Sequence, residues 1–109
     1  MKELTKIEEI LLLTIWRLED EAYGVKIRKH VSQFIGKDFT YGNLYSALHQ
    51  LFVKKYVNKD IGKPTPDRRG RPKINYTVTS EGMEALKAAR DMHEKLWSDI
   101  SPCVFDQAK

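Results

Sequence analysis

The sequence holds a single cysteine, Cys103, so no disulfide can close within the chain, and the composition suits a reducing compartment. Its three histidines, His30, His49 and His93, are well separated and lack metal-ligand spacing, so neither a structural metal nor a cofactor is expected. Long apolar runs are missing too. The longest, Ile10 to Ile15 with Thr14 inside it, falls far short of the roughly 20 residues a membrane span needs, and Glu8 and Glu9 precede it rather than a basic leader. The expected location is cytoplasmic, without membrane attachment. Also absent are a phosphate-cradling glycine loop, a zinc-protease motif, a serine nucleophile elbow and a clustered acid-base pair, which argues against an enzyme.

What is present is positive charge, concentrated in one place. The net charge is +4, yet residues 54 to 73 carry eight Lys or Arg against two Asp, so this window holds +6 and the remainder −2. Such a patch either neutralises the phosphates of a polyanion or forms a plain solvated face. Its densest part, Arg68-Arg69-Gly70-Arg71-Pro72-Lys73, cannot continue a helix and stands directly before an alternating strand pattern. With 109 residues, one hydrophobic core is expected.

Periodicity places four helices and a hairpin. Thr5 and Glu8 have capping-box spacing, and Ile7, Ile10, Leu11, Thr14, Ile15 and Leu18 recur at helical intervals, which predicts a first helix over about residues 6 to 18. A second follows Tyr23-Gly24, with Ile27, Val31, Phe34 and Ile35 as its apolar face and Gly36 as its left-handed cap. The third opens near Thr40 and runs to about Lys54, anchored by Leu44, Leu48 and Leu51 at i, i+4 and i+7. Asn43, Ser46, Ala47, Gln50 and Lys54 then share a neighbouring stripe, turned about a quarter circle away and free to meet a partner. Tyr41, Tyr45 and Phe52 gather on the other flank, where packing is expected, with the Tyr45 ring buried and its hydroxyl near the surface.

Tyr56-Val57 and Ile61 suggest a short strand, Gly62 to Pro72 a turn-rich loop, and Ile74, Tyr76 and Val78 a second strand, making a hairpin with a basic tip. Thr79 or Ser80 caps a fourth helix over residues 81–100, and residues 101–109 read as a loosely attached tail. The fold class is therefore mainly α with a small β-hairpin: a winged helix-turn-helix over residues 1–80 plus one C-terminal dimerisation helix.

Tyr23-Gly24, Gly42-Asn43-Leu44-Tyr45-Ser46-Ala47-Leu48, Gly70-Arg71-Pro72, Tyr76 and Thr79 with Gly82, in that order, resemble the PadR family of bacterial transcriptional regulators, its small subgroup with a single C-terminal helix. The resemblance implies a homodimeric repressor whose third helix and wing bind double-stranded operator DNA. Tyr45 matches the family tyrosine associated with DNA binding. The chain departs from the family pattern after the third helix, with Phe52 where a glutamate is common and Lys55 where a glycine is common.

The expected DNA-binding set is Thr40, Tyr41, Asn43, Tyr45, Ser46, Gln50, Lys54, Arg68, Arg69, Arg71 and Lys73. Asn43 or Gln50 could pair bidentately with adenine, while the wing arginines suit the backbone and the minor groove. Arg69 to Pro72 also matches the core of an AT-hook, a weak signal that a wing explains equally well. On the fourth helix, Leu86, His93, Leu96, Trp97 and Ile100 form a stripe too apolar to sit alone in water, and a second copy is its natural cover. Trp97 either packs in that pairing or stacks a flat aromatic or cationic effector. The competing functional class is a winged-helix module that binds structured RNA or a protein.

Overall fold

The computed structural model describes residues 3–64 and 72–107. Arg68, Arg69, Gly70 and Arg71, the densest part of the basic segment, lie outside the described residues.

Helix α1 spans Lys6–Leu18 and begins with the expected capping box: the Glu8 amide donates to Thr5 Oγ1 at 3.2 Å and the Thr5 amide donates to Glu8 Oε1 at 2.9 Å. A short 3-10 turn, Glu19–Glu21, leads to α2, Gly24–Ile35, which ends on Gly36 in the left-handed region at φ 72°. Helix α3, Tyr41–Val53, starts at the Thr40 cap, whose hydroxyl oxygen accepts from the Asn43 amide at 3.2 Å.

Leu11, Leu12 and Ile15 of α1, Ile27 and Val31 of α2, and Leu44, Leu48 and Leu51 of α3 are fully or almost fully buried together. Each such leucine contributes about 1.5–3 kcal/mol when removed from water, so the three-helix core dominates the stability of this region. The tyrosine and aromatic flank of α3 does not join it. Tyr41, Tyr45 and Phe52 are all exposed, because the leucine triplet alone decides which side of α3 turns inward.

Strands β1, Val57–Pro64, and β2, Pro72–Val78, pair antiparallel from Val57 opposite Val78 to Pro64 opposite Pro72, with an irregularity between Ile61 and Pro64. The first strand thus continues beyond Ile61 into the stretch whose composition reads as loop, since ladder pairing outweighs the weak strand preference of Gly62 and Pro64. The hairpin is fastened to the body at its base. The Tyr76 amide donates to Ala22 O at 2.8 Å, Asn75 Nδ2 donates to Asp20 O at 3.0 Å, and Tyr23 forms a bridge with Asn75.

Lys55, at the position where the family commonly has glycine, adopts φ 66° in the turn from α3 to β1. The turn therefore keeps the left-handed backbone that glycine would favour, at a cost of about 1–3 kcal/mol that the flanking hydrogen bonds hold in place. Among these are the Tyr56 amide donating to Leu51 O at 2.9 Å and Thr79 Oγ1 donating to Lys55 O at 2.7 Å.

Helix α4, Ser80–Trp97, is capped by Thr79, and its Gly82 lies where a Cβ would strike Tyr56 O and Val78 Cγ1. It ends three residues before the expected Ile100. A 3-10 helix then covers Pro102–Gln107 and brings the Phe105 ring to 5.7 Å from Trp97. Within the segment expected as a loosely attached tail, residues 102–107 thus form a helical turn, with Phe105 against Trp97. Among the described residues no helix is long and apolar enough to cross a membrane.

Candidate nucleic-acid interface

The leucine row fixes the roll of α3 and so places its polar stripe outward. Asn43, Ser46 and Gln50 are exposed, and among the described residues their side chains have no hydrogen-bond partner. Donors and acceptors left unused on one helix face are available to base edges or phosphates.

Lys54 is the exception on that stripe. Its ammonium donates to both carboxylate oxygens of Glu8 at 2.8 Å, and the two side chains are only 16% and 5% exposed. Lys54, expected to be free for a partner, is engaged within the chain: it secures the end of α3 to the start of α1. Burial pushes the Glu8 carboxyl up, but hydrogen bonds from Lys54 and the Thr5 amide, with the Lys54 charge, outweigh this and hold it below the usual carboxylate range.

Tyr45 also departs from expectation. Its ring is half exposed, while its hydroxyl occupies the space that a side chain at position 24 would fill. Gly24, lacking Cβ, lets the phenol approach the start of α2, so the polar end is tucked in and the ring faces out. Tyr41 stacks beside it, 6.2 Å between ring centroids and 17° between planes. Behind Tyr45, burial pushes the Tyr76 phenol above the usual tyrosine range, with Tyr45 adding to the shift.

Around these aromatics stand cations, of which Lys73 was expected and Arg28, Lys26 and Lys59 were not singled out in the sequence. The Arg28 guanidinium lies 4.5 Å from the Tyr41 ring centroid and donates to Asp38 Oδ1 at 2.8 Å. Lys73, near the start of β2, places its ammonium 4.5 Å from the Tyr23 ring centroid, and Lys26 lies 5.7 Å from the same ring. Lys59 of β1 sits 4.5 Å from the Phe52 ring centroid. Each contact contributes about 0.5–1 kcal/mol at an exposed site and holds a positive charge against an aromatic ring. Lys26 and Arg28 could have been found as the polar positions flanking inward-facing Ile27 on α2. Thr40 serves chiefly as the helix cap, and Arg68, Arg69 and Arg71 fall outside the described residues.

The fourth-helix stripe divides in two. Leu86 is buried against the body, whereas His93, Leu96, Trp97 and Ile100 are exposed, Leu96 at 69%. His93, Trp97 and Phe105 form an aromatic row with centroid separations of 6.0 and 5.7 Å. Between α1 and α4 lies an open cleft of about 390 Å³, lined by Leu4, Ala85, Ala88, Met92, His93 and Leu96 among others.

Three helices followed by a docked wing, with the polar stripe of the third helix uncovered, define a winged helix-turn-helix protein. The transcriptional regulator PadR-like family matches residues 12–88, and the chain belongs to that family. It is accordingly a DNA-binding transcriptional regulator.

Solved structures share the architecture. The complex structure of hsRosR-S4 is 21% identical with a TM-score of 0.71, covering 92% of this chain and 79% of that one. H. salinarum RosR grown from NaBr is 23% identical with a TM-score of 0.70, covering 92% and 83%. A PadR-like transcription factor from Bacteroides fragilis is 20% identical with a TM-score of 0.69, covering 86% and 85%. At these identities the likeness establishes the fold alone. No curated protein matches the chain in sequence.

Proposed function

We propose that the protein is a repressor that binds operator DNA as a homodimer through α3 and the basic wing. The observation that carries this reading is the exposed, unpartnered set Asn43, Ser46 and Gln50, together with the cations Arg28 and Lys73 held on the rings of Tyr41 and Tyr23. Asn43 or Gln50 supplies sequence preference, Ser46 and the rim of Thr40, Tyr41 and Tyr45 contact the backbone, and Arg68, Arg69, Arg71 and Lys73 neutralise phosphates along the wing. Lys54, which Glu8 engages in the free chain, is left out of this proposed contact set.

Two copies pair through the uncovered half of α4 and the neighbouring face of α1, where Leu13, Trp16, Met92, Leu96, Trp97 and Ile100 are exposed. Apolar surface of this extent is costly in water, and a two-fold pair presents two recognition helices to half-sites about 34 Å apart. A flat aromatic or cationic effector stacking beside Trp97 relieves repression by favouring one spacing of the two wings over another.

The test is fluorescence anisotropy with labelled genomic duplexes at several salt concentrations, with RNA and unlabelled duplex as competitors. Expected is a linear fall of log affinity with log salt, weakened binding on Arg69→Ala and Arg71→Ala, and displacement by duplex in preference to RNA. Salt-insensitive binding, or stronger competition by RNA, overturns the reading.

A further inference from the structure

Glu21 closes the acidic turn Glu19–Glu21 and pairs with a cation of α2. Its backbone belongs to the segment fastened to the wing: the preceding Asp20 O accepts from Asn75 Nδ2, the following Ala22 O accepts from the Tyr76 amide, and Tyr23 bridges Asn75. From this fixed base its side chain, 65% exposed, accepts a hydrogen bond from the Lys26 ammonium.

Lys26 shares the Tyr23 ring with Lys73, so two positive side chains from different elements, α2 and β2, converge on one aromatic. Convergent cations repel each other, and a neighbouring anion relieves the repulsion. Glu21, paired with Lys26, is the anion at this site. The hydrogen bond and charge of Lys26, with a smaller contribution from the charge of Lys73, outweigh desolvation and hold its carboxyl below the usual carboxylate range. Glu19 and Asp20, adjacent in sequence and equally acidic, are exposed and have no ion pair among the described residues.

The site lies on the surface that carries α3, because the Tyr45 hydroxyl rests against Gly24, the residue after Tyr23. A carboxylate and a phosphate diester present the same partner chemistry to ammonium groups: one negative charge and oxygen acceptors. An exposed ion pair is weakly held, so exchange of one anion for the other is easy.

We infer that Glu21 is an internal substitute for a nucleic-acid phosphate: in the free protein it neutralises the Lys26 and Lys73 pair, and on the duplex a backbone phosphate displaces it and takes both ammonium groups. Glu21 is thereby a brake on sequence-independent affinity. It keeps the rim from holding any duplex tightly and leaves discrimination to the α3 stripe. The inference rests on the DNA-binding reading of this face.

A mixed-sequence duplex suffices as the probe, because the phosphate contribution does not depend on sequence. Glu21→Gln is expected to bind it about 3- to 10-fold more tightly at low salt, with a plot of log affinity against log salt steeper by about one phosphate contact. The gain should disappear in a Lys26→Met, Lys73→Met background, and Glu19→Gln should give clearly less. Equal affinity of Glu21→Gln and the unaltered protein overturns the inference, as does an equal gain from Glu19→Gln, which would mark a mere change of net charge. Failure of the unaltered protein to show salt-dependent duplex binding overturns the proposed function and this inference with it.

Discussion

Apolar side chains meet opposite fates in the winged body and in the second half of α4. In the body, Leu11, Leu12, Leu44, Leu48 and Leu51 reach at most 1% exposure, whereas on α4 Met92, Leu96 and Trp97 stand between 45% and 69%. Both regions carry helical apolar stripes, so the stripe itself does not reveal whether its cover comes from the same chain. What differs is the neighbourhood. Three short helices crossing one another close a core, while α4, 18 residues and about 27 Å long, extends beyond the elements that could cover it.

Leu48→Ala breaks the covered side of this contrast and has the largest expected effect. Emptying a fully enclosed site costs about 2–5 kcal/mol of unfolding free energy, read as a lower denaturant midpoint with an unchanged slope. Leu96→Glu attacks the uncovered side. It should weaken pairing by about 3 kcal/mol summed over two symmetric copies, seen as a monomer in sedimentation or light scattering, while helical content is retained.

Glu8→Gln sharpens the comparison by loosening the joint between α1 and α3. At neutral pH it should cost about 1.5–3 kcal/mol of stability, the worth of hydrogen bonds to a charged partner. The folded carboxyl titrates below the ordinary 4.5, so its stabilisation is complete above that value and is lost as pH falls through the depressed one. The gap between variant and parent should therefore close in acid, which thermal melts across pH would show. Gln50→Ala is expected to leave stability within about 0.5 kcal/mol and to cost about 1–3 kcal/mol of operator binding, with relaxed preference at one base pair. Competition titrations with single-base operator variants measure it.

The local elements were legible because their signals are local. The capping box of Thr5 and Glu8, the leucines at 44, 48 and 51, the Gly36 cap and the alternation from Lys73 to Val78 each rest on interactions within a few residues. The polar stripe followed directly from the leucine row, since helical geometry ties one face to the other. Lys54 did not, because its partner Glu8 is 46 residues away and nothing near position 54 announces it. Tyr45 misled for a related reason: aromatics at helical spacing read as core, but room for its hydroxyl depends on a glycine in another helix. The cation and ring pairs of Arg28 with Tyr41 and Lys73 with Tyr23 were hidden in the same way, each joining two elements.

Sequence by itself therefore determined the order of helices and strands, the leucine row that turns α3 inward, and the family to which the chain belongs, because periodicity and capping act over a few residues. Only the tertiary structure decided which charges remain free for a polyanion. Lys54 is held by Glu8 in a nearly buried pair, whereas Lys26 and Lys73 share the Tyr23 ring and of these two only Lys26 has a carboxylate partner among the described residues, and a charge is available or spent according to what the fold brings within a few ångströms of it.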